Sequence, residues 1–155
     1  MLNRRVILIC GLAFGTMYAS TISASVAPPP PSFIDDIAKQ IVPAPTASSF
    51  DHYVAVFADD LTVTMNGKQI APNKVAWVAA ERHRLGNVDR FVVGFAKGYD
   101  ALLVIERYDD RSGISPEMLA DPRYTARAVR YAVGSDHLVH NIQIVQTDGI
   151  LQTPK

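Results

Sequence analysis

The spacing of apolar residues changes once along this chain, and that change sets the fold class. From Ile34 to Leu85 they mostly recur every three or four residues, the repeat of a helix face; from Val88 onward they alternate every second residue, the repeat of a strand. The spacing predicts a first helix over 33–42, with Ser32 as its N-cap, Ile34, Ile37, Ala38 and Ile41 on one face and Pro43 ending it. A second helix, capped by Ser48 or Ser49, carries Phe50, Tyr53, Val54 and Phe57 and is expected to end near Ala58. Leu61 to Met65 is a short β-branched run closed by an Asn66-Gly67 turn. Pro72 fits the first turn of a third helix that Gly86 stops, with Val75, Val78, Ala79 and Leu85 marking its buried side.

Four extended runs follow, at about 88–97, 101–109, 124–133 and 137–146. Gly98 turns the first pair and Gly134-Ser135-Asp136 the last, while 110–123, with Gly113, Pro116 and Pro122, reads as a long loop holding one helical turn around Glu117 to Ala120. This order describes an α+β domain in which a curved antiparallel sheet forms a cup against three N-terminal helices. Phe91, Val93 and Phe95 alternate with Val88 and Val92, and Val139 and Val145 with Leu138, Ile142 and Ile144, so both sheet faces are apolar. Helices cover one; a second copy of the sheet is the simplest cover for the other, and a homodimer is expected on that ground.

Residues 1–25 read as a secretory signal peptide: Arg4 and Arg5, an apolar stretch from Val6 to about Tyr18, then small residues. The apolar stretch is roughly 13 residues, short of the ~20 that span a bilayer as a helix. Ala24 or Ser25 is the expected last residue of the signal, because cleavage directly before Pro28 is hindered. Cys10, the one cysteine, lies inside the apolar stretch and lacks the small residue expected before a lipidated cysteine, so the mature chain has neither a disulfide nor a thiolate metal site. Without Arg4 and Arg5 the 15:15 balance of basic and acidic residues becomes a net charge of about −2, which suits a periplasmic or secreted protein and implies neither nucleic acid nor, after cleavage, membrane. A proline-rich spacer over 26–32 leads into a domain over 33–151, and 152–155 form a tail.

Two stretches carry a resemblance. Phe50-Asp51-His52-Tyr53-Val54-Ala55-Val56-Phe57-Ala58-Asp59-Asp60-Leu61-Thr62-Val63, followed by Asn66-Gly67-Lys68 and a helix, resembles the nuclear transport factor 2-like (SnoaL-like) superfamily, and His140-Asn141-Ile142-Gln143-Ile144-Val145-Gln146-Thr147-Asp148-Gly149-Ile150-Leu151 is similar to that family's last strand with its Asp-Gly-Ile ending. The resemblance implies a cone-shaped α+β domain, commonly dimeric, with a pocket between helices and sheet, and functions that range from isomerases, cyclases and dehydratases to non-catalytic binding modules. In the steroid isomerases of that superfamily a carboxylate at the end of the strand after the Phe-Ala-Asp-Asp run is the general base. Counting along this chain puts Met65 there, and a thioether cannot abstract a proton. Their first-helix tyrosine falls near Ile41 and their late-strand acid near Asn141. The steroid-isomerase positions are therefore not matched.

Several residues remain candidates, each with a plainer role beside it. Glu106 shares a strand face with Leu102, Val104 and Tyr108; inside the cup, burial makes it an acid or base, and outside it pairs with Arg127 or Arg130 across the strands. His140 shares a face with Ile142 and Ile144 and can meet a ligand at the cup, whereas His137 and His140, three apart on a strand, face opposite ways and cannot chelate one metal. Asp59 and Asp60 break the helix-dipole rule at the end of the second helix or simply hydrogen-bond the turn after it. Trp77, Glu81 and Arg84 share one face of the third helix, which is a ligand face or a solvated edge. Tyr53, Trp77, Met65, Tyr131 and Asn141 are the expected ligand-binding positions. No metal ligand set, glycine-rich phosphate loop or nucleophile elbow is present, and no cofactor is implied. The leading reading is an exported cup for a small apolar molecule. Its alternatives are an acid/base enzyme in which Glu106 or His140 moves a proton, Tyr53 or Tyr131 steadies an oxyanion and the 110–123 loop is a lid, and a dimeric interaction module with a filled cup.

Overall fold

The computed structural model describes residues 28–85, 88–110 and 123–150. The signal segment, Gly86, the 111–122 part of the expected loop with its helical turn, and the tail lie outside the described residues. Three helices precede or interrupt a six-stranded sheet: α1 Ser32–Ile41, α2 Phe50–Ala55, β1 Phe57–Met65, β2 Lys68–Ala71, α3 Lys74–Arg84, β3 Val88–Lys97, β4 Ala101–Asp110, β5 Arg123–Val133 and β6 Val139–Ile150. Strand order is β2-β1-β6-β5-β4-β3, so the chain's first long strand lies beside its last. That contact is parallel, from Phe57 opposite Val139 to Met65 opposite Ile144, an exception within the antiparallel sheet expected. The other pairings are antiparallel.

α1 forms because Ile34, Ile37, Ala38 and Ile41 make one buried stripe, with Pro43 two residues beyond the end. Ser32 is inside the helix; Pro31 holds the cap position, and no side chain caps it. α2 is shorter than its stripe suggested. Phe57 is the first residue of β1 and is buried edge-on against Tyr53, with ring centroids 5.1 Å apart, so the helical spacing runs on across a change of structure. Asn66 (φ 49°) and Gly67 (φ 80°) make the two-residue turn into β2, a four-residue strand that the sequence pattern did not reveal. Asn66 also fixes that hairpin to β6: its side chain accepts from Gln146 N–H at 3.0 Å and donates to Gln146 O at 3.2 Å.

α3 differs most from its expected orientation. Asn73, after Pro72, is its N-cap and accepts from Ala76 N–H at 2.9 Å. Its buried residues are Trp77 and Glu81; of the four expected on its buried side, Val78 and Leu85 are partly buried against the core, while Val75 is 79% exposed and Ala79 is exposed. The helix therefore turns its Trp77–Glu81–Arg84 side inward.

The sheet's inner face carries Leu102, Val104, Val129, Tyr131, Ile142 and Ile144, which join Ile37, Ile41, Phe50, Tyr53 and Trp77 of the helices in one core. None of the described helices covers the outer face. In register across it stand Gly94, Ile105, Ala128 and Val145, with Leu103 nearby and Phe91 beneath the Arg107 guanidinium at 4.8 Å. Phe91, Leu103, Ile105 and Val145 are all exposed. An irregularity between Val92 and Gly94 breaks the β3 alternation, so Phe91 stands opposite outward Arg107 and Phe95 opposite inward Val104. No helix of the described residues is long and apolar enough to cross a membrane.

Candidate functional site

One end of the inner face is polar. Arg90 of β3, Glu106 and Tyr108 of β4, and Arg127 of β5 occupy the strand phase that elsewhere carries the core, and α3 brings Glu81 and Arg84 down onto them. Glu106 is 1% exposed and fully engaged: Arg90 Nε donates to Oε1 at 3.0 Å, Arg90 Nη2 reaches the same oxygen, and Tyr108 O–H donates to Oε2 at 2.7 Å. The remaining terminal nitrogen of Arg90 donates to the Ile41 carbonyl at 2.8 Å and the Pro43 carbonyl at 3.2 Å, placing a cation at the C-terminal end of α1, where the helix dipole favours one. Arg90 thereby ties β3, β4 and α1 together.

Arg84 pairs with Glu81 and stacks over Trp77 at 5.6 Å. Arg127 donates to Gln146 Oε1 at 2.7 Å and lies 4.4 Å from the Tyr108 ring. Burial raises the Glu81 carboxyl above the usual carboxylate range against the pull of Arg84. Burial also raises Tyr53, Tyr108 and Tyr131, so these phenols stay neutral in the ordinary pH range.

Beside this network opens a cleft of about 470 Å³. Ala44 and Pro45 of the α1–α2 connection form one rim; Glu81, Arg84 and Leu85 of α3, Val88 to Phe91 of β3, and Tyr108 form the rest. The volume suits a small organic molecule. The wall is apolar on the loop side and charged on the helix and β3 sides, where Glu81, Arg84, Asp89 and Arg90 stand.

The expected site residues lie elsewhere. Glu106 faces inward, but its partner is Arg90, not Arg127 or Arg130, and it reaches the cleft only through Arg90 and Tyr108. Tyr53, Trp77 and Tyr131 are core residues at 4%, 3% and 2% exposure. Trp77 Nε1 is buried without a hydrogen-bond partner. Met65 packs against the core at the far end of β1. Asn141 points to the outer face and donates to Thr62 Oγ1 at 2.9 Å. His140, next to the irregularity between Ala132 and Val133, leaves the face of Ile142; its Nδ1 lies 2.6 Å from Asp60 and its Nε2 2.9 Å from Asp136. His137 stacks on Phe33 at 4.3 Å. No cluster of three His, Cys, Asp or Glu suited to a metal occurs among the described residues. Asp59 is exposed and lies 3.6 Å from Lys74, across the α3 N-terminus.

The charged groups of the network and cleft are visible in the sequence as charges in phase with core positions, Arg127 of the network with Val129 and Tyr131, and Glu81 of the cleft four residues after Trp77. Their convergence is not, because it depends on α3 turning its charged side to the sheet.

No family sequence model matches the chain, and no curated protein matches it significantly in sequence. Solved structures do. An LEH-like epoxide hydrolase of M. tuberculosis superposes with a TM-score of 0.57 at 14% identity over 75% of this chain and 84% of that one. A nuclear transport factor 2-like protein of unknown function from Cytophaga hutchinsonii gives 0.55 at 12% identity over 75% and 97%. A Δ5-3-ketosteroid isomerase from a Mycobacterium species gives 0.52 at 12% over 76% and 98%. The chain thus has the nuclear transport factor 2-like fold. At such identities the likeness concerns the fold alone.

Proposed function

We propose that this chain is an exported binding domain whose cleft takes a small molecule with an apolar body, and that it works without a proton-transfer step of the steroid-isomerase kind. The observation that carries the reading is an open cleft beside a carboxylate, Glu106, already held by Arg90 and Tyr108. That both Glu106 oxygens are engaged supports a structural role for it, and counting along the sequence, under the resemblance, puts Met65 at the position of the isomerases' base. Small neutral and acidic fragments followed by protein NMR test the reading: the amides of Leu85 and Val88 are expected to shift. If no fragment moves them, the cleft is not a binding site.

A second reading has Glu81 in its favour. This buried carboxyl lines the cleft with its proton affinity raised, as an acid/base enzyme requires. Turnover lost in Glu81→Gln with ligand binding retained would select that reading.

We further propose a homodimer through the outer sheet face, supported by exposed Phe91, Leu103, Ile105 and Val145 in one patch. Export to the periplasm or medium rests on the leader-like residues 1–25.

A further inference from the structure

We propose that the cleft is a site for a small apolar carboxylic acid, which enters as its anion, replaces Glu81 on the Arg84 guanidinium and leaves Glu81 to take up a proton from solvent. This rests on the binding reading above and adds the ligand's chemical class. The two cations of the cleft differ in what they have left to offer. Arg90 has a side chain only 8% exposed, with every nitrogen committed to Glu106, Ile41 or Pro43. Arg84 is 26% exposed, and its pair with Glu81 uses one terminal nitrogen. A guanidinium has five N–H donors and takes a carboxylate in a two-pronged contact, so Arg84 keeps donors for an anion. Ala44, Pro45, Leu85 and Val88 line the same cleft and fit an apolar body behind that group.

The proton follows from charge. An arriving carboxylate on Arg84 leaves two carboxylates for one guanidinium, and Glu81, with a side chain 8% exposed, is the buried one. The groups facing it are Arg84 on its own helix, Arg90 of β3, Glu106 and Tyr108 of β4, Arg127 of β5 and Tyr53 of α2. The cleft wall also carries the Asp89 carboxylate of β3, a further negative charge that disfavours a second anion beside Glu81. Arg90 is matched by Glu106, the tyrosines are neutral, and Arg127 already serves Gln146. Once Arg84 is shared, burial and Glu106 both disfavour the Glu81 anion. The exchange balances: one anion enters, one proton enters, and the cleft keeps its net charge.

Calorimetry of the purified protein with phenylacetate and with uncharged phenylacetamide, near neutral pH in buffers of different ionisation enthalpy, tests this. Phenylacetate is expected to bind about tenfold or more tighter than the amide, as a hydrogen-bonded charge contact implies, with uptake approaching about one proton per site. Arg84→Gln should abolish the preference for the acid; Glu81→Gln should keep acid binding and lose the proton uptake. The uptake measured on the unsubstituted protein stands even if a variant fails to fold. Equal binding of acid and amide overturns the ligand class, and acid binding without uptake, or uptake persisting in Glu81→Gln, overturns the exchange; in each case the cleft still binds a small molecule. If neither probe binds but neutral fragments still shift Leu85 and Val88, the inference fails alone. If nothing shifts them, both fail.

Discussion

Arg90 and Glu106 show how a buried charge is kept. Each is costly to desolvate, and each has the other plus a hydroxyl or helix-end carbonyls to satisfy it. Arg90→Leu strands the Glu106 carboxylate and is expected to cost about 3–5 kcal/mol in urea unfolding, whereas the double change Arg90→Leu with Glu106→Leu should recover most of that loss. A double variant as unstable as the single one would deny the pair this role. His140 behaves differently because it is at the surface. Its contact with Asp136, opposed by slight burial and helped by Asp60, raises its pKa above the ordinary value of about 6.5. The stabilisation from the charged imidazole is therefore complete below that ordinary value and is lost as pH rises through the raised one. Histidine resonances followed by NMR should show His140 titrating high and Asp136→Asn bringing it down. Gly134→Ala should do the same without removing a charge, because its Cβ would lie 2.7 Å from the His140 ring and 2.9 Å from Asp136 Oδ1. Glu81 has the opposite sign: with its pKa raised by burial, stability falls as pH climbs from the ordinary carboxylate range through the raised value, and Glu81→Gln should flatten that part of a melting-temperature profile.

Among the elements, the outer face of β3 to β6 makes the plainest prediction. Ile105→Asp puts a charge in the middle of the patch without touching the core, so sedimentation should show a dimer becoming a monomer with its circular dichroism unchanged. A monomer in both proteins would refute the sheet contact. Elements also mark how far the sequence could be read. The change to a two-residue period located β3 to β6 because long runs with one buried face leave that signature. β2 escaped because four residues beside Pro72 hold too little alternation. α3 sits rotated from the face its apolar spacing suggests: Val78 and Leu85 pack against the core, but Val75 and Ala79 lie outside, and Trp77 and Glu81 are buried in their place, Glu81 beside Arg84 of its own helix and near Arg90 and Arg127, which lie on strands beyond it in sequence. The cleft was hidden for the same reason. Local hydrophobicity says which residues avoid water, but a buried Glu81 is stabilised by Arg84 and the sheet's arginines, and such pairing leaves no local period.

For the whole molecule, the leader proposal has a direct check. Intact-mass measurement of protein recovered from periplasm or medium should give a chain beginning at Ser25 or Val26; an uncut Met1 form there would sink it. The parallel seam between β1 and β6 bears on the same question from another side. Phe57 waits for Val139 and Met65 for Ile144, so about half the chain is synthesised after β1 before its partner exists. Until then Leu61 and Val63 lack the strand that completes their layer, and the hairpin with β2 is too small to hold them. Closure of this layer thus waits for β6, and whatever holds the newly made chain open until then has only the short β1–β2 hairpin to work against at this edge.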